Sequence, residues 1–416
     1  MSSLHEAAVV KIEDPGPARF APGLRRFWIA AAAVGMVLTA VGLWANPQQA
    51  WHGYLINYLY FLILSLAGVF LVALEYVTSA TWSVAFRRLA ESLTRYLPIA
   101  FVATIVLLFG FHDLYRWAQP GYHFHRASKQ AWFNIRFVGA RALIYVGLWT
   151  LFGWWYVRRS LRVDDAWRRG ESTAGYQPRR TPGGFGKLPS PVGRLSAGFM
   201  VLFAATFTLA AFDWVMSLEP RWNTTMYGVY LFAGLFEAGW ALVLLLAVLL
   251  RRRGMLGGLL RDHQYVDLAR MLHAFSIFMV YIGFEQYMLI WYANYPAETV
   301  FYHQRIVNGW GWVFLFLLFA KWVFPFTVLL HQKIRRNEKV LLTMAGLVLV
   351  GEWVDLYWLI MPSFHAHFVL PDWIVLGEFL AFLGLFGLAV TGFLSKHSTV
   401  PVGDPRLAHS VAGDYL

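Results

Sequence analysis

The chain has 416 residues, 58% of them hydrophobic and 14% charged, with 20 Trp and 34 Phe, a balance that excludes an ordinary soluble domain. A net charge of +12 would suit a nucleic-acid partner, but the excess sits in short segments beside apolar stretches, as in Arg251-Arg252-Arg253 and Lys333-Ile334-Arg335-Arg336. There it fixes topology and meets anionic lipids, so no nucleic acid is expected. With no Cys, disulfides, thiolate-held iron–sulfur clusters and cysteine nucleophiles are excluded from this chain.

In chain order, residues 1–26 are polar, contain Pro15, Pro17 and Pro22, and read as an N-terminal segment ahead of a first helix that is its own insertion signal. Four apolar stretches follow at approximately 27–44, 54–77, 97–114 and 136–157. A basic linker rich in Pro and Gly covers 158–193, with Arg158, Arg159, Arg168, Arg169, Arg179 and Arg180 before Pro182-Gly183-Gly184 and Pro189. Six more stretches run at 194–217, 226–250, 269–292, 308–331, 339–361 and 373–395, and a tail occupies 396–416. Each stretch can cross roughly 30 Å of hydrocarbon as a helix. The N-terminus, even-numbered loops and C-terminus carry 24 of the 35 Lys and Arg, and the odd-numbered loops carry five. That bias predicts an all-α integral membrane protein with ten transmembrane helices and both termini cytoplasmic, in a bacterial cytoplasmic membrane.

A faint internal echo suggests two related halves. Gly110-Phe111-His112-Asp113-Leu114-Tyr115, followed by Trp117 and Pro120, is matched by Gly283-Phe284-Glu285-Gln286-Tyr287, followed by Trp291 and Pro296. Asp213 near the outer end of the fifth helix is matched by Asp355 in the ninth. An offset of four helices makes this a parallel repeat, with helices 2–5 and 6–9 as two four-helix bundles and helices 1 and 10 peripheral.

Ionisable side chains in hydrocarbon cost roughly 2.5–3.5 kcal/mol each on insertion scales, so several in one chain need a reason. By span position the outer half holds His112, Asp113, Arg141, Asp213, Glu285, Gln286, Asp355 and Glu378. The middle holds Glu237, Lys321 and Glu352, and the cytoplasmic side Glu75 and His273. This ladder spans all depths, as a proton path through short hops requires. The structural alternative pairs Arg141 with Asp213 or Asp113, and Lys321 with Glu237 or Glu352, holding helices in register. Carboxylates outnumber the cations about threefold, however, so pairing does not account for all of them. Glu352 and Asp355, three apart, share one helix face, whereas Glu285 and Gln286 cannot.

A membrane haem would need His pairs on facing helices; only His273 and His331 lie at similar depth, so none is expected. His123 with His125, and His365 with His367, form H-x-H pairs in outer loops, where solvation or a subunit contact is the simpler reading than metal. No nucleotide-binding glycine motif, Ser–His–Asp arrangement or HExxH run occurs, and no catalytic residue of hydrolytic or phosphoryl chemistry is assigned.

Four blocks carry a family resemblance. They are Ala211-Phe212-Asp213-Trp214-Val215-Met216-Ser217-Leu218-Glu219-Pro220-Arg221-Trp222 with Thr225-Met226-Tyr227-Gly228-Val229-Tyr230; Phe284-Glu285-Gln286-Tyr287-Met288-Leu289-Ile290-Trp291-Tyr292-Ala293-Asn294 with Pro296 and Glu298-Thr299; Asp355-Leu356-Tyr357-Trp358-Leu359 with Met361-Pro362; and Val400-Pro401-Val402-Gly403-Asp404-Pro405-Arg406-Leu407. They resemble the ActF subunits of alternative complex III, members of the polysulfide-reductase NrfD-like membrane family. The resemblance implies ten helices in two bundles and a place beside a homologous ActC-like membrane subunit. An iron–sulfur subunit and c-type haem subunits would lie on the outer face. Such complexes oxidise quinol, typically menaquinol, and pass electrons to cytochrome c or a terminal oxidase. Haem and iron–sulfur centres belong to the partners, and a quinone or menaquinone is the only cofactor that could touch this chain. Asp213, Glu285, Gln286 and Asp355 fall within the matching blocks and carry over as functional candidates. Glu285 stands where the family has a smaller polar residue, often Ser, and the ending Gly413-Asp414-Tyr415-Leu416 departs from the usual acidic-aromatic one. The competing readings are a stand-alone proton-coupled transporter and a purely structural anchor subunit.

Overall fold

The computed structural model describes residues 12–124, 127–171, 173 and 191–413. Among these the fold is all-helical, with one isolated bridge, Pro17 to Ser398, and no strand. Ten helices are long and apolar enough to cross a membrane: α1 Pro22–Ala45, α2 Pro47–Thr78, α3 Val84–Phe109, α4 Ile135–Arg168, α5 Pro191–Leu218, α6 Tyr227–Arg252, α7 Asp262–Ala293, α8 Trp310–Leu329, α9 Glu338–Ser363 and α10 Trp373–Leu394. Every stretch read from the sequence has its helix, and the chain has the architecture of a multi-pass membrane protein.

The largest displacement is in α3, expected at 97–114. It begins at Val84, tightens into one 3-10 turn at Thr94–Tyr96 ahead of Pro98, and ends at Phe109. Arg87, Arg88 and Glu91 lower the local hydropathy, yet their charges oppose one another inside the protein, so the helix continues through them. Beyond Phe109 the chain makes short turns, Phe111–Leu114 and Arg116–Ala118. Residues 158–168 of the expected linker continue α4, whereas Arg179, Arg180, Pro182 and Pro189 lie outside the described residues.

At the centre of the packing is α2, buried without interruption from Ala50 through Ala73. A helix apolar on every side needs neighbours all round, and α1, α3, α4, α5, α6, α9 and α10 all pack on it. Helix α6 also meets α5, α7 and α9, and α8 lies against α7 and α9. At the edge, α1 packs chiefly along α10. Their backbones approach closely: a Cβ at Gly35 would lie 2.1 Å from Ala381 N, and one at Gly384 2.4 Å from Ala32 N. Small residues are the usual basis of such membrane helix pairs.

At one end of the molecule the N-terminal segment meets the tail and the even-numbered connections. Ala18 N donates to Leu394 O at 2.8 Å, Thr399 N to Gly16 O at 3.1 Å, and Thr399 Oγ1 to Met255 O at 2.7 Å. The odd-numbered connections meet at the other end, where Lys129 Nζ donates to Pro220 O and Asn308 Nδ2 to Ala366 O.

Candidate functional site

Pro325 in α8 has no N–H, and its ring crowds the carbonyl one turn back, at Lys321. The helix there opens into a π-helical turn over Phe319–Val323, a widening that often marks functional positions. Lys321 lies within that turn, 4% exposed. Its Nζ lies 2.5 Å from Glu352 Oε2, 2.8 Å from Asp355 Oδ2 and 3.9 Å from Glu237 Oε2. Two glycines make the room, since a Cβ at Gly351 would reach Lys321 Cγ at 2.8 Å and one at Gly234 would reach Glu352 Oε1 at 2.7 Å. Glu352 and Asp355 do share a face of α9. Tyr230 of α6 donates its hydroxyl to Asp355 at 2.9 and 3.1 Å. Neither oxygen of Glu237 has a hydrogen-bond partner, and the residue is fully buried. One ammonium thus serves three carboxylates, where the sequence left Glu237 or Glu352 as its partner.

The first half holds a different arrangement. Arg141 of α4 grips Asp213 of α5 through two bonds, Nε to Oδ2 at 2.9 Å and Nη2 to Oδ1 at 2.7 Å. Trp132 Nε1 adds a third bond to Oδ1 at 3.1 Å, and Trp132 O accepts from the guanidinium at 3.2 Å. The rings of Trp132 and Phe137 lie 4.0 and 4.2 Å from the guanidinium carbon. Of the two expected partners the structure takes Asp213. Asp113 and His112 instead sit on the short helix past the end of α3, half-buried and exposed.

On α7, Gln286 points inward and is buried, while Glu285 is half-buried with Oε2 unpartnered. Gln286 Nε2 donates to Tyr302 OH at 3.1 Å. Tyr302 belongs to a short helix outside the spans, Pro296–Ile306, and burial pushes its hydroxyl up to about 12, so it keeps its proton. Glu378 of α10 is buried with both oxygens unpartnered. It fits only because Gly53 of α2 has no side chain, a Cβ there lying 2.1 Å from Glu378 Oε2. His273 is half-buried and stacks on Phe326.

Two clefts bear on these groups. One of about 500 Å³ lies among α7, α8, α9 and the Pro296–Ile306 helix and reaches Lys321, Asp355, Tyr230, Gln286 and Tyr302. The other, about 420 Å³, opens beside Glu75, Ser83 and Arg87 and reaches Phe236 and Trp240, either side of Glu237 on α6.

Glu75 belongs to a buried ion network that sequence reasoning missed. Arg87 Nη1 contacts Glu75 Oε1 at 2.7 Å and Asp404 Oδ2 at 2.6 Å, and Arg87 Nε contacts Glu91 at 3.2 Å. Arg88 bridges Glu91 and Asp164, and Arg406 joins Asp404 at 2.7 Å and Glu75 at 3.1 Å. Burial alone would push the Asp404 carboxyl up, but Arg87 and Arg406 outweigh it and hold the group well below the usual carboxylate range. The i,i+3 and i,i+4 spacing of Arg88 and Arg87 from Glu91 was the available signal. The network draws in the tail, whose Val400, Val402 and Leu407 are buried.

Among the outer-loop histidines, His365 Nε2 lies 3.3 Å from Gln49 Oε1 and His367 is exposed, while His125 lies outside the described residues. Among the described residues no three His, Asp or Glu side chains are grouped to hold a metal ion. Comparison with protein-family models and with curated proteins found no match for this chain.

Proposed function

We propose that this chain is a membrane subunit of a quinol:cytochrome c (or quinol:acceptor) oxidoreductase complex, where it scaffolds the redox subunits and conducts protons. The observation that carries the proton-conducting role is the Lys321 cluster. A single cation among Glu237, Glu352 and Asp355 cannot hold all three carboxylates equally, so a proton or the ammonium can change partner with little rearrangement. The route would run from the cleft beside Glu75, past Trp240 to Glu237, across Lys321 to Asp355, and on through Tyr230 toward Gln286 and Tyr302. Carboxylates from two helices, α6 and α9, bear on one ammonium of a third, α8, which suits short hops through hydrocarbon.

The place in an electron-transfer complex rests on the four sequence blocks. Asp213, Gln286 and Asp355 of those blocks are buried in polar contacts, and Asp404 and Arg406 anchor the tail. In this reading helices α2–α5 and α6–α9 form the two bundles. Both termini are cytoplasmic, in a bacterial cytoplasmic membrane, with an ActC-like subunit, an iron–sulfur subunit and c-type haem subunits as partners. A transporter would favour broken helices at matching places in both halves. The π turn of α8 has no such counterpart in the unbroken α4.

The test is purification from the native membrane in mild detergent. Co-migrating c-type haem and iron–sulfur proteins with quinol:cytochrome c activity support the reading. A colourless chain, stable alone, overturns it. Within an intact complex, Asp355→Asn then tests the path: proton release coupled to quinol oxidation should fall while haem content holds, whereas Glu285→Gln, off this route, should leave release unchanged.

A further inference from the structure

The 500 Å³ cleft has walls and a floor of different chemistry. Its walls are apolar, from Met279, Phe284, Phe314, Leu317, Leu318 and Trp322, and its rim carries the exposed rings of Tyr281 and Phe284 on α7. A volume of this size holds a small molecule or one hydrocarbon chain.

The floor decides what the head of such a molecule must be. Gln286 is 4% exposed, and its amide nitrogen is taken by Tyr302 OH. Its Oε1 is buried without a partner and therefore asks for a donor. Tyr302 accepts that amide proton and retains its own O–H to give. A single hydroxyl satisfies both groups, donating to Gln286 Oε1 and accepting from Tyr302. An anionic head fits poorly, because Lys321 is already engaged by three carboxylates and a carboxylate would meet Gln286 Oε1 lone pair against lone pair. A head with acceptors alone leaves Gln286 Oε1 unfilled. From this geometry we propose that the cleft between α7 and α8 binds a neutral, single-chain membrane amphipath with a hydroxyl head, its chain along Phe314 and Leu318 and its hydroxyl between Gln286 and Tyr302.

The head position shares Gln286 and Tyr302 with the end of the proposed proton path, and the labelling below reads binding alone, whatever the fate of that path. The test is photolabelling of the full chain in native membranes with a diazirine-bearing long-chain alcohol, in parallel with the matching fatty acid and methyl ether. The alcohol should label peptides of α7 and α8 at least about fivefold more strongly than the other two, the effect of one hydrogen bond near 1 kcal/mol. Gln286→Leu should reduce alcohol labelling by a similar factor. Gly283→Leu, whose side chain would enter the cleft beside the Tyr230 ring rather than at Gln286 or Tyr302, should abolish it while the thermal melt is kept. Equal labelling by all three probes, or labelling that survives Gly283→Leu, overturns the proposal.

Discussion

In each half of the molecule a buried cation meets an aspartate one helix further on, Arg141 of α4 with Asp213 of α5, and Lys321 of α8 with Asp355 of α9. The first is a matched pair. A planar fork takes both oxygens of one carboxylate, and Trp132 closes the rest of the shell, so neither partner has reason to leave. The second is mismatched, a point charge shared by three carboxylates, one of them with no hydrogen bond at all. The difference teaches that charges buried within spans can be bonded to completion, as at Asp213, or left short of partners, as at Glu237.

Breaking the mismatched site should have the largest effect. Lys321→Met leaves Glu237, Glu352 and Asp355 without a cation, and loss of one partner of a buried pair costs about 3–5 kcal/mol. Thermal melting in detergent should show that loss, together with loss of coupled proton release. Arg141→Met should destabilise by a comparable or slightly smaller amount, since only Asp213 is stranded. Adding Asp213→Leu should restore the melt to within about 1 kcal/mol of the parent, because apolar replacement of a whole buried pair is close to neutral. If that double variant also retains proton release, Arg141 and Asp213 are structural; if it loses release, the contrast fails.

Glu237→Gln separates stability from function. The carboxyl makes no hydrogen bond, so the melt should move by about 1 kcal/mol or less. Proton release in the assembled complex should nonetheless drop about tenfold, the effect of roughly 1.4 kcal/mol in barrier. The smallest effect concerns Asp404, whose folded-state proton affinity is depressed by Arg87 and Arg406. A depressed carboxylate stabilises the fold above its ordinary value of 3.8, and this contribution fades as pH falls below it. Amide protection over residues 398–411, the slowing of exchange relative to an unstructured peptide at the same pH, should therefore hold at neutral pH and fall only below about pH 4.

The ten spans were legible because hydrocarbon imposes length and composition directly. The start of α3 was not, since hydropathy counts Arg87, Arg88 and Glu91 as solvent-seeking and cannot register that they face one another. For Lys321 depth was readable but helix rotation was not, so Glu237 and Glu352 could be named as partners while Asp355 and the sharing among all three could not. Glu352 and Asp355 were readable as a face from their spacing alone. Tyr230 and Tyr302 carried no signal separating them from the other tyrosines. The two clefts depend on helices distant in sequence and left no trace in any one segment.

The tail's ion network has a consequence for how the chain is made. Arg87 and Asp404, 317 residues apart, become partners only after every span has been threaded. Until then Arg87 and Arg88 meet only Glu75, Glu91 and Asp164, and the tail adds one carboxylate, Asp404, together with one cation, Arg406. Closure by the tail is therefore the last packing step: a chain stopped before Asp404 would lack both the Arg87–Asp404 contact and the bond from Gln264 to Ser410.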